Sequence, residues 1–135
     1  MRGAEAFDML QALNTGHDGS MSTGHANSAQ DMVSRLETMA LSAAALPFPV
    51  IRQQIASAID IIVHLSRMRD RTRRVTEICE VIGIRDGEVL LSPLYRFEEP
   101  GEWGEGTAGA LVSTGNSLTR DYKRKMAGLP PMIGA

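Results

Sequence analysis

The sequence predicts an α/β chain in which helices come first, an antiparallel β-meander follows, and a further helix closes the chain. Three observations carry this expectation. Apolar residues recur at helical spacing in three separate stretches before Asp60. At Asp60 the period changes to two. Beyond it, Arg85-Asp86-Gly87 places the Asp-Gly signal of a tight hairpin turn between two β-rich runs.

The first helix is expected from Ala4 to Asn14, where Ala6, Met9, Leu10 and Leu13 form a stripe and Thr15-Gly16 closes it. Ser20 to His25 reads as a short strand bounded by Gly19 and Asn27. Ser28 precedes Asp31 by three, a capping-box spacing that starts a second helix with Met32, Leu36, Met39, Ala40 and Ala43 on its buried side. Pro47 ends that segment, and Pro49 suits the first position of a third helix carrying Phe48, Ile51, Ile55, Ala58 and Ile59.

Ile61, Val63 and Leu65 alternate with Ile62, His64 and Ser66, the pattern of a strand with one apolar and one mixed face. Arg73–Ile84 and Glu88–Phe97 are further β-rich runs, so three consecutive strands form the meander. Pro100 to Gly109 is a glycine-rich loop. Leu118, Tyr122 and Met126 at i, i+4 and i+8 suggest a last helix over Ser117–Ala127, stopped by Gly128 and Pro130-Pro131.

Composition bounds the function. The 135 residues allow one domain or a piece of one, with 43% hydrophobic and 22% charged residues. A formal charge of −2 argues against a general nucleic-acid binder. One cysteine, Cys79, excludes an internal disulfide. No apolar run approaches the ~18 residues needed to cross a bilayer, and the start has no signal-peptide layout. A cytoplasmic chain is the default expectation.

The stretch Asn14 to Asn27 is the densest in chemistry, with two of the three histidines among glycines, hydroxyls and amides. Such a loop suits a phosphate contact, and equally an ordinary capped turn. A P-loop requires Gly-x-x-x-x-Gly-Lys-Ser/Thr, and the only lysines, Lys123 and Lys125, follow Tyr122 and Arg124. No P-loop is present in these residues. His17, His25, His64 and Cys79 lack metal-ligand spacing, so no metal site is expected. Cys79 sits in an apolar β-pattern that favours an inert core thiol. Arg67-Met68-Arg69-Asp70-Arg71-Thr72-Arg73-Arg74 reads as a solvated strand–turn–strand edge rather than a phosphate-binding surface.

Thr15-Gly16-His17 and Ser22-Thr23-Gly24-His25-Ala26-Asn27, with Ser34–Met39, Ile51–Asp60, Arg73–Ile78 and Tyr95–Glu98, resemble one family. It is the secretion and pilus-assembly ATPases of the type II/type IV secretion superfamily, and the CpaF-like branch of Tad/Flp pili matches best. The resemblance implies the C-terminal part of a RecA-like P-loop ATPase domain. His25 would then be the histidine-box residue that senses the terminal phosphate of ATP, the one site residue given a catalytic role. His17, Thr15, Gly16 and Arg2 would sense phosphate or position the loop, and His17 reads also as a plain loop residue. Gly24 departs from the larger apolar residue the family carries there.

On this likeness residues 1–99 form a partial core lacking Walker A and most of Walker B, and residues 100–135 the glycine-rich loop and last helix. ATP and Mg²⁺ would be cofactors of the whole protein, with neither held tightly by this chain alone. The implied partners are further copies in a hexameric ring and the inner-membrane pilus or secretion platform, with no nucleic acid. The implied location is cytoplasmic and peripheral to the inner membrane. The alternative is a stand-alone, non-enzymatic module that docks onto a secretion ATPase ring.

Overall fold

The computed structural model describes residues 3–15, 20–43, 45–98 and 109–119. Their order is α1 (Gly3–Asn14), α2 (Ala29–Ala43), α3 (Phe48–Ala58), β1 (Ile61–Arg67), β2 (Arg73–Arg85), β3 (Glu88–Glu98) and β4 (Ala110–Ser113). The strands pair in the order β1-β2-β3-β4. Helices followed by an antiparallel meander are thus present. The chain divides into two compact units, the described parts of Met1–Asp60 with Val81–Leu91, and those of Ile61–Glu80 with Ser92–Ala135.

In the first unit the three helices pack on one another. Ala6 and Leu10 of α1, Val33 and Leu36 of α2, and Ile51 and Ile55 of α3 are at most 1% exposed. These residues are spaced by three or four, so each helix buries one stripe. On α2 the stripe is rotated from the expected one. Ala29, Val33, Leu36 and Ala40 are buried, while Met32 and Met39 are half-buried and Ala43 is exposed. The actual stripe begins one residue after the cap, at Ala29, and β-branched Val33 fills the position assigned by pattern to Met32.

Polar contacts tie the same helices. Gln11 Nε2 donates to Gln54 Oε1 at 2.8 Å, and Asn14 Nδ2 to the Gln54 carbonyl at 3.2 Å. Arg52 reaches Glu37 Oε1 through Nε at 3.3 Å and the Gly87 carbonyl through Nη1 at 2.9 Å, with its guanidinium 5.2 Å from the Phe48 ring centre. Pro47 is the N-cap of α3, which makes Pro49 its second residue rather than its first. Neither proline removes a helical donor there.

In the second unit β1 and β2 pair from Ile61↔Glu80 to Arg67↔Arg73, with an irregularity between His64 and Leu65. Thr76 is the extra residue, and its Oγ1 lies 3.0 Å from Ser66 Oγ and 3.4 Å from the His64 carbonyl. The β1–β2 turn is closed by Met68 N–H to the Thr72 carbonyl (2.8 Å) and Arg71 N–H to the Met68 carbonyl (3.0 Å). Arg71 takes φ +68°, the left-handed residue of a three-residue hairpin loop.

The β2–β3 turn has φ +53° at Asp86 and +81° at Gly87, the type I′ geometry that Asp-Gly announced. β4 was not foreseen in the sequence. It pairs with β3 from Tyr95↔Ser113 to Glu98↔Ala110. Pro93 is tolerated in β3 because its carbonyl faces the side where β4 has ended. There the carbonyl accepts from Thr114 Oγ1 at 2.6 Å and Asn116 Nδ2 at 2.8 Å.

Two sequence expectations need correction. Ser20–His25 is not a strand: residues 20–26 have no regular structure, and all but Ala26 are exposed. A strand needs a ladder partner and a face to bury. No described strand pairs with this stretch, and its one large apolar side chain, Met21, is 97% exposed, so no face is buried. Ser117–Thr119, read as the start of the last helix, is not helical. The remainder of that predicted helix, and Pro100–Ala108 of the glycine-rich loop, lie outside the described residues.

Candidate functional site

The chain from Ser20 to Ala26 delivers His25 to the N-terminus of α2, where a capping arrangement fixes the start of the helix. Ser28 Oγ accepts the Asp31 N–H at 3.0 Å, and the Ser28 carbonyl accepts the Met32 N–H at 3.0 Å. Asp31 returns the bond by accepting the Asn27 N–H on Oδ2 at 2.9 Å. The Ser28 half is the cap that the spacing predicted, whereas the return bond goes to Asn27, one residue before the cap, rather than to the Ser28 N–H.

The same Asp31 oxygen meets Arg35 Nε at 2.9 Å, one turn along the helix. The Asn27 N–H, and after it the Arg35 guanidinium, hold the Asp31 carboxyl below the usual aspartate range. Arg35 uses only Nε here. Its two terminal nitrogens make no hydrogen bond among the described residues.

His25 and Arg35 line one open groove of about 510 Å³ with Gly24, Asp31, Ser34 and Thr38, floored by Met32 and Met39. The Ser34 and Thr38 hydroxyls donate back to the helix, to the carbonyls of Gln30 (3.4 Å) and Ser34 (3.1 Å). The groove therefore offers an exposed imidazole and the outer edge of a guanidinium. Donors of these two kinds bind phosphate oxygens. The groove offers a poor set for a magnesium ion, because it holds a single carboxylate, whose Oδ2 already accepts from Asn27 and Arg35.

Of the other residues singled out, Thr15 closes α1. Its N–H donates to the carbonyls of Gln11 (3.1 Å) and Ala12 (3.2 Å), and its Oγ1 donates to Ala12 at 3.0 Å. It does not line the groove of His25. Arg2, Gly16 and His17 lie outside the described residues. Arg35 was missed as a site residue, although the Asp31/Arg35 spacing of four on a helix was a usable signal.

Cys79 is 3% exposed and donates to Glu77 Oε1 at 3.3 Å. Burial, and then the neighbouring Glu77 carboxylate, push its thiol up to about 12, so it is protonated at neutral pH and a poor nucleophile or ligand. Among the described residues no group of three His, Cys, Asp or Glu is placed to hold a metal ion. No helix among them is long and apolar enough to cross a membrane.

Curated proteins are similar to this chain over part of their length. The chain is 41% identical over 83 residues to the type IV secretion system protein PtlH of Bordetella pertussis, covering 58% of this chain and 24% of that protein. It is 31% identical over 99 residues to the conjugal transfer protein TrbB of Rhizobium radiobacter, covering 73% of this chain and 29% of that one. It is 32% identical over 83 residues to the type IV secretion system protein VirB11 of Brucella suis, covering 58% and 23%. The chain thus spans about a quarter of the length of these curated relatives. The model of the type II/IV secretion system protein family matches residues 1–96, through α1, the His25 groove and nearly all of β3. The chain belongs to that family.

Proposed function

We propose that this chain is the histidine-box segment of a motor ATPase that powers Tad/Flp pilus assembly or type II/IV secretion. In the whole protein a RecA-like core would bind ATP and Mg²⁺, copies would assemble into a hexameric ring, and the ring would work on platform proteins at the cytoplasmic side of the inner membrane. The observation that carries the reading is the pairing of exposed His25 with Arg35 in one groove, on a chain of the secretion family. An imidazole and a guanidinium edge suit recognition of a terminal phosphate and register its loss.

The 135 residues contain no P-loop, and the groove has a single carboxylate, one oxygen of which is already bonded. Phosphoryl transfer depends on positioning and charge neutralisation by such groups. The chain by itself is therefore inactive in this reading. Purified chain incubated with Mg-ATP should release no phosphate above buffer. Magnesium-dependent turnover that disappears in His25→Ala would overturn the proposal. The second reading is a non-enzymatic module docked on a secretion ATPase ring. Stable co-purification with an intact, separately encoded ATPase of the same system would favour it.

A further inference from the structure

The β1–β2 hairpin carries an arrangement that costs stability unless something covers it. Arg67 and Arg73 are directly opposed at the end of the ladder, and both are exposed. Like charges at opposed positions repel. Neither residue, nor Arg71 at the turn, has a side-chain hydrogen bond or ion pair among the described residues. The nearby carboxylate of Asp70 is occupied within the turn by the Thr72 N–H (3.0 Å) and Oγ1 (2.6 Å), and faces Arg74 Nη2 at 3.9 Å.

Arg67 does not stand alone on its face of β1. Alternation places Ile61, Val63 and Leu65 beside it, and these are 40%, 49% and 57% exposed. One strand face thus runs from three exposed aliphatic side chains to a pair of unneutralised guanidinium groups. We propose that this face lies against an anionic lipid surface, with Arg67 and Arg73 at the level of the headgroup phosphates and Leu65 and Val63 towards the acyl boundary. Guanidinium forks match phosphate oxygens, and aliphatic neighbours suit the lipid interface. A nucleic acid would be met by stacking rings rather than by Ile, Val and Leu.

The inference takes its partner from the membrane-peripheral location proposed above, and is independent of the role of His25. The test is co-sedimentation of the full chain with vesicles of phosphatidylcholine, with and without phosphatidylglycerol. The chain should sediment with the anionic vesicles only, and less so as salt rises. Arg67→Gln/Arg73→Gln should weaken partitioning about 30-fold, the loss of two basic contacts. Arg85→Gln/Arg96→Gln, which removes the same charge elsewhere, should change it far less. Arg67→Glu creates an opposite-charge pair with Arg73, so it should melt no lower than the parent yet bind least.

Binding that survives in both Arg67 variants overturns this surface while leaving the peripheral location standing. A parent chain that sediments with neither vesicle overturns the location too. Displacement from anionic vesicles by single-stranded DNA at lower concentration than by added lipid overturns the choice of partner.

Discussion

Glu80 receives the backbone N–H of Thr119 on both carboxylate oxygens, at 2.9 and 3.0 Å. It is the one fully buried ionisable side chain among the described residues, so the bond is made where water competes least. Glu80→Ala should therefore destabilise the chain by about 1–3 kcal/mol, the cost of leaving a donor unsatisfied and a space unfilled. Urea unfolding followed by circular dichroism measures the loss. Hydrogen exchange should show the Thr119 amide losing protection first. An unchanged midpoint would mean that the contact is dispensable.

Arg52 serves three partners at once, Glu37, the Gly87 carbonyl and the Phe48 ring. A lysine retains the charge but lacks the planar fork that reaches two acceptors in fixed directions. Arg52→Lys should cost about 1 kcal/mol and Arg52→Ala about twice that, both read as a lower urea midpoint at unchanged slope. Equal stability of Lys and wild type would show that only the charge matters.

The α2 cap should be sensitive to acid. Because the folded Asp31 pKa is depressed, its stabilising effect is fully present above the ordinary aspartate range and is lost as pH falls through the lower folded value, below roughly pH 4. Asp31→Asn should remove that acid-dependent step from the helix signal. Ser28→Ala, which deletes the other half of the cap, should cost about 1 kcal/mol at neutral pH.

Arg71 holds φ +68° in an exposed turn, a conformation that a Cβ disfavours. Arg71→Gly removes that strain but adds freedom to the unfolded chain, leaving a net gain of about 0.5–1 kcal/mol. A raised melting temperature is the expected result. A lowered one would show that the arginine side chain contributes more than its backbone costs.

The Cys79 thiol should resist alkylation in the folded chain and react readily in denaturant. Its pKa is raised on folding, so its contribution to stability is intact below the unfolded value near ~8.5 and is lost as pH climbs towards about 12. Cys79→Ala should flatten that alkaline decline. Fast labelling of native protein at pH 7 would contradict the burial.

Local chemistry was the legible part of this fold. Asp86-Gly87, Ser28 with Asp31, and Pro47 with Pro49 each mark a turn or helix start through bonds made within a few residues, so the chain alone reveals them. What escaped depends on distant partners. Leu111 and Val112 belong to a four-residue strand whose existence rests on pairing with Phe97 and Arg96. Ser20–His25 has strand-like composition, but nothing stands beside it to complete a ladder. On α2 the period was visible and its phase was not, because Val33 rather than Met32 faces α1 and α3. The site divided similarly. His25 stood out by its motif, whereas Arg35 gains meaning only when α2 brings it into the same groove.

Thr76 is a single supernumerary residue, and it acts as a reading frame for the hairpin. In an unbroken ladder Arg67 would stand across from Arg74, which instead lies 5.9 Å from the Phe97 ring centre, and Arg73 would turn to the opposite side of the sheet. The placing of Thr76 in a bulge rather than in the ladder thus decides which of two adjacent arginines stands opposite Arg67 and which lies by an aromatic ring. Deleting Thr76 would close the ladder and keep Arg67 opposite Arg73, so only a ladder that absorbed Thr76 as a paired residue would exchange those assignments. The position of a bulge can in this way rewrite a surface while conserving its composition.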